Sequence, residues 1–210
     1  MDKNMSNTTK KIIALFISII AAALIYLSAY LPYVKSVLYI NALQLSQQST
    51  SLQDFLNPFI NAFNFWSPVG QPEEIRFFAN NVLNILSQTQ QIPQEVANTL
   101  VKYTVSLLDS HPLGGKGLNY SQSVLLEASI FATYGERYND KASLIKAEEL
   151  YKQGMQLSPK RPQFLYGLFA LYTAQNRQED AKNIGNEILK YWPSDMRIKQ
   201  ILDALNKIQK

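Results

Sequence analysis

Cysteine is absent from the 210 residues, which excludes a disulfide framework, a thiol nucleophile and any zinc site built on Cys ligands. Histidine is nearly absent. The one residue, His111, precedes Pro112 in a turn-rich stretch, and its neighbours Asp109, Ser106 and Ser110 are too close in sequence to build a catalytic triad with it. Charge is sparse at 17%, and the formal +4 comes from Lys and Arg scattered along the chain. With no basic run and no RNP-like motif, nucleic acid is not an expected partner. No stretch shows the strict alternation of a half-buried strand between turn signals. Glycine is scarce too, and three of the eight residues, Gly114, Gly115 and Gly117, crowd into one breaker at 111–119. That loop lacks the GxxxxGK[ST] spacing of a phosphate loop. Adjacent acids, Glu73 with Glu74 and Glu148 with Glu149, point to different helix faces and read as helix charge placement rather than a metal site; any two acids could meet in space as a glycosidase pair, and nothing in the sequence selects one. No catalytic residue, cofactor site or metal site is expected.

What is present is apolar and helical. Hydrophobic residues make up 47% of the chain, enough for a core without staples. Ile12 to Leu31 is a run of twenty residues without a charge, about 30 Å as a helix, which matches a bilayer core. Lys3, Lys10 and Lys11 precede it and only Lys35 follows before Arg76. The positive-inside rule then keeps 1–11 in the cytoplasm and places the rest on the far side of the membrane. Tyr26, Tyr30 and Tyr33 fall where an aromatic belt would lie. Two other readings compete: a cleaved signal ending near Ala21, Ala22 and Ala23, and a buried core helix. The length of the run and its lack of any charge favour the anchor.

Helical spacing continues through 32–110. Tyr33 to Gln47 extends the anchor helix across Pro32, with Val34, Val37, Leu38, Ala42 and Leu45 on one face, a neighbouring segment satisfying the carbonyl that the proline frees. Ser51 with Asp54 starts a helix over Leu52 to Phe65, which Pro58 should bend or shorten. Pro72 with Glu73 and Glu74 opens another to about Ser87, and Pro93 with Glu95 one to about Ser110. The breaker at 111–119 is the expected subdomain boundary.

Beyond it, from 120 to 210, the chain echoes itself. Ala147, Tyr151, Gly154 and Pro159 are followed 34 residues later by Ala181, Gly185, Ile188 and Pro193. With repeats at 128–161 and 162–195, the first supplies Phe131, Tyr134, Tyr138 and Tyr151 as large residues, and Gly135, Ala147 and Gly154 as small ones, before Pro159. The second supplies Leu165, Leu168, Tyr172, Ala181 and Pro193 but departs at Phe169, Gly185 and Ile188. This pattern resembles the tetratricopeptide repeat family. The resemblance implies an all-α fold, with the transmembrane helix followed by antiparallel helix pairs in an α-solenoid and 196–208 as a capping helix. It also implies a concave partner-binding face: Ser129, Ala132, Glu136 and Asn139 from the first repeat, then Gln163, Tyr166, Ala170 and Thr173. That face is nearly uncharged, so an apolar or glycan ligand would suit Tyr166 better than an acidic tail.

Leu31-Pro32-Tyr33, Tyr39 to Leu43, Ser67 to Gly70 with Glu74-Ile75-Arg76, Ser158 to Pro162 and Leu165 to Leu168 also resemble the C-terminal tail of the bacterial O-antigen ligase and polymerase family. That resemblance implies a protein partner in surface-glycan assembly. The membrane helices and large catalytic loop of that family are absent from this sequence. Two functions follow: a membrane-anchored, exported adaptor, or the tail of a polytopic glycan transferase whose catalytic region lies elsewhere. An intracellular helical-repeat protein with an unusually apolar first helix is a third.

Overall fold

The structure, a computed structural model, describes residues 7–88, 92–110 and 118–207. Every regular element among them is helical. His111 and the glycines of the breaker lie outside the described residues. The chain forms two compact units, Met1–Glu74 and Ile75–Lys210, and the division falls inside one helix rather than at 111–119. The breaker is not a domain boundary because the helices flanking it pack on each other.

In the first unit, α1 (Asn7–Ile25), a π-helical turn (Tyr26–Tyr30) and α2 (Leu31–Ser46) follow without a break. Together they make a helix of 40 residues that is long and apolar enough to cross a membrane. Pro32 lacks an N–H, and its ring would collide with the carbonyl four residues back. The chain absorbs this locally: the Leu31 N–H reaches five residues back to the Tyr26 carbonyl, widening the helix by one residue just before the proline.

Residues 7–30 are exposed without exception, and cover begins abruptly at Leu31. Leu31, Lys35, Tyr39 and Ala42 are buried along one stripe of α2. That is not the stripe expected from the apolar residues, since Leu45 is exposed and Val34, Val37 and Leu38 are only half-buried. The buried stripe runs through a lysine and a tyrosine instead. It packs on α3 (Leu52–Asn64), where the Tyr39 ring lies 5.8 Å from Phe59 and 6.2 Å from Phe63. Ser51 caps α3, its Oγ accepting the Asp54 N–H at 3.1 Å and donating to the Asp54 carboxylate at 2.7 Å. Pro58 does not shorten α3, which runs on to Asn64.

The second unit takes up within α4 (Gln71–Ser87) and continues with α5 (Gln94–Ser110), α6 (Leu118–Tyr138), α7 (Lys141–Leu157), α8 (Pro162–Ala174), α9 (Gln178–Tyr191) and α10 (Met196–Lys207). The start of α6 lies two residues inside the stretch read as loop. From α5 to α10 each helix packs against the next, and α6 also reaches α8. Two reversals share one geometry. Asn139 and Asn176 adopt left-handed φ of 53° and 62°, and the following N–H, of Asp140 or Arg177, bonds back to Gly135 O or Tyr172 O at 2.9 Å. This is the Schellman closure of a helix end, with Asn where Gly is usual.

The two hairpins differ by one helical turn. Their reversals at Asn139 and Asn176 are 37 residues apart, whereas their closing caps at Ser158 and Trp192, and the starts of α8 and α10, are 34 apart. The difference sits at the front of α7, which has 17 residues against 14 in α9.

Small residues mark the tightest approaches. Gly154 lies against the Phe164 ring and Gly167 against the Tyr151 ring. At Gly185 a Cβ would stand 3.0 Å from Cε2 of Phe169. Two of the second hairpin's three departures in size are thus linked: the large ring at 169, with Leu202, occupies the space that the glycine at 185 leaves.

Candidate functional site

Of the eight residues expected on a concave face, five are exposed, Ser129 and Tyr166 are half-buried and Ala132 is buried. Ala132 is 8% exposed and belongs to the core of the second unit, so it cannot meet a partner. Ser129 faces inward, its Oγ 3.4 Å from the Tyr151 hydroxyl and donating to Leu125 O at 2.9 Å. Asn139 forms the reversal, and Glu136 is exposed. The early end of α6 is the physical reason. The expected face counts residues in a 34 register that the first reversal does not keep. In the second hairpin Gln163, Ala170 and Thr173 are exposed along α8, although the Thr173 hydroxyl is turned back onto Phe169 O at 2.8 Å. Tyr166 is half-buried, donates to Asp195 and stacks at a tilt on Trp192 with centroids 5.9 Å apart.

A polar clamp joins the hairpins. Glu148 on α7 accepts from Tyr172 Oη on α8 at 2.9 Å, from Lys152 Nζ at 2.6 Å, and from the guanidinium of Arg177 at the front of α9. Arg177 also lies over the Tyr172 ring, 4.3 Å from its centroid, and bonds Asp180 at 2.7 Å. Burial alone would raise the Glu148 pKa; the bonds from Arg177, Lys152 and Tyr172 outweigh it and hold the carboxyl at about 2. Beside the clamp is a hollow of about 350 Å³ lined by Asn139, Ile145, Gln175 and Arg177 among others.

A second cavity, of about 360 Å³, opens between α5, α6 and α7. Its apolar wall includes Leu108, Val124 and Phe131, and its polar groups are Asp109, Glu127, Lys146 and the Tyr120 hydroxyl, which accepts from Gln153 at 3.0 Å. Glu127 is 9% exposed. Burial, helped by the charge of Asp109 and opposed by Lys146, pushes its pKa up to about 7. Such a carboxyl can exchange a proton near neutrality or receive a cationic group.

The first unit holds a third polar cluster. Lys35 is 1% exposed and donates to the carbonyls of Ala62 at 3.1 Å and Phe65 at 2.8 Å, closing the end of α3. Glu74 stands 3.7 Å away, an ion pair beyond hydrogen-bond reach, and burial pushes its pKa up to about 7 against the pull of Lys35. The Tyr39 hydroxyl and Oε2 of Glu74 are buried without hydrogen-bond partners.

Sequence reasoning passed over Lys35, Glu127 and Glu148. Two of them carried a signal. Lys35 is the one charge between Lys11 and Asp54, and Glu127 sits inside the apolar run Val124 to Ala128. Glu148 carried only its i,i+4 spacing to Lys152, which marks an ordinary helix face, since its other partners lie 24 and 29 residues away. No family model, curated protein or solved structure matches the chain.

Proposed function

We propose that this protein is an exported, membrane-anchored helical scaffold of tetratricopeptide type, which holds a protein partner at the bacterial inner membrane. The observation that carries the reading is the change at Leu31. Before it, twenty-four successive helical residues from Asn7 to Tyr30 are exposed, most of them apolar, while the helix beyond it is packed. A bilayer is the surrounding in which such a surface is stable. Behind the anchor, two hairpins with matching reversals, Gly–aromatic contacts and a clamp from α7 to α9 support a stacked repeat. The resemblance to the tail of O-antigen ligases points to surface-glycan assembly as the process served.

The partner surface follows from exposure. Gln163, Ala170 and Thr173 line the open side of α8, and Tyr166 is held beside them by Asp195. In cells carrying a photo-crosslinker at Ala170, wild-type protein should give a discrete adduct, lost in the Gln163→Arg, Thr173→Arg variant. An adduct pattern unchanged by that variant would contradict this surface.

A further inference from the structure

We infer that the loop between α3 and α4, with Trp66 and Val69 at its tip, inserts into the headgroup zone of the bilayer and acts as a second, shallow membrane contact. The inference rests on the reading that Ile12 to Leu31 spans the membrane. It depends on where Lys35 holds the loop. The Lys35 ammonium binds the Phe65 carbonyl at one end, at 2.8 Å, and a Cβ built at Gly70, at the other end, would lie 3.8 Å from the Cδ of Lys35. Both ends of the loop are therefore fixed at the level of Lys35. That residue is one helical turn beyond Leu31, about 6 Å along the axis. The polar zone on each side of a bilayer core is about 5 to 8 Å deep. The loop thus lies at the depth of the headgroups.

Its composition fits that depth. Phe65 to Gly70 carries no charge. Trp66 is 66% exposed and Val69 57%, and Tyr33 on α2, about 3 Å nearer the span than Lys35, is 68% exposed. Single exposed apolar groups are ordinary on a protein surface. Here Trp66 and Val69 lie in one short loop on the unit that carries the span, with Tyr33 on α2 nearer the span, and Trp and Tyr are the residues whose rings favour the membrane–water boundary. Ser67 Oγ bonds Val69 O at 2.8 Å and Gly70 takes φ of 100°, so the tip is preformed rather than loose. The buried lysine is thereby explained: it ties a hairpin of protein down to the membrane end of α2.

The chain has two tryptophans, Trp66 and Trp192, so Trp192→Phe leaves Trp66 as the only reporter. The full-length variant is reconstituted into phosphatidylcholine vesicles whose acyl chains are brominated near the glycerol end or near the methyl end. The expected result is blue-shifted emission, quenched more strongly by the glycerol-end bromine. Co-flotation of the protein with unshifted, unquenched emission would overturn the inference and leave the anchor standing. Failure to float would overturn the anchor and the inference together. Lys35→Met should weaken the quenching while flotation persists; quenching unchanged by that variant would show that Lys35 does not set the depth.

Discussion

Adding one methyl group at Gly154 tests how α7 meets α8. Gly154 is buried in the last turns of α7, and a Cβ built there would overlap the Cε1–Cδ1 edge of the Phe164 ring. Phe164 is 0% exposed, and Arg161 lies over its ring with the guanidinium carbon 5.5 Å from the centroid, so the ring has no open space to retreat into. Two effects oppose each other. Alanine in a helix interior is better than glycine by about 1 kcal/mol. Overpacking a filled core costs about 1 to 3 kcal/mol, and a displaced buried ring belongs at the upper end. Gly154→Ala should therefore destabilise by about 1 to 2 kcal/mol net, which for a chain of this length lowers Tm by about 2 to 8 °C. The assay is thermal unfolding of the full chain in detergent, followed by helical circular dichroism. Phe164→Leu should relieve the clash, so the double variant should lose less than the two single losses added together, by about 0.5 to 3 kcal/mol. A Gly154→Ala protein as stable as wild type, or more stable, would refute this packing.

Two acids give opposite pH dependences. The native Glu127 pKa, about 7, lies above the unfolded value near 4.3, so its unfavourable contribution grows as pH rises through that interval. Glu127→Gln should have little effect at pH 4 and stabilise by up to about 3 kcal/mol at pH 8, read as a shift in urea midpoint. An equal effect at both pH values would contradict the burial of that carboxylate. The native Glu148 pKa, about 2, lies below the unfolded value, so its contribution is present above about pH 4.3 and is lost as pH falls towards 2. With Arg177 partly exposed, Glu148→Gln should cost about 1 to 2 kcal/mol at pH 7 and nothing near pH 2, and a cost independent of pH would show that the charge of Glu148 does not hold the hairpins together.

Sequence periodicity made the helices legible, and caps made their starts legible. Ser51 with Asp54, Pro72 with its two glutamates and Pro93 each sit at the front of a helix, because a local hydrogen bond or a fixed φ acts through neighbours in sequence. Faces were less legible. The α2 stripe was missed because its centre is Lys35, whose burial depends on carbonyls 27 and 30 residues away. The α6–α7 reversal was missed because Asn139 ends the helix by adopting positive φ. The 34-residue echo, set by the ends of α7 and α9, had implied an end three residues later. Phe169 and Gly185 read as two faults in a repeat; in space they touch and compensate. Of the expected face, the three positions Gln163, Ala170 and Thr173 on α8 are exposed, whereas on α6, which does not keep the register of the echo, Ala132 is buried and Ser129 half-buried.

An anchored, exported scaffold requires that Asn7 and the helical hairpins lie on opposite sides of the inner membrane. The absence of native cysteine allows a direct measurement: Asn7→Cys and Gln200→Cys, both at exposed positions, are labelled with a membrane-impermeant maleimide in cells whose outer membrane has been permeabilised. The expected result is that residue 200 labels at once and residue 7 only after the inner membrane is opened. Labelling in the reverse order, or of both only after opening, would contradict it.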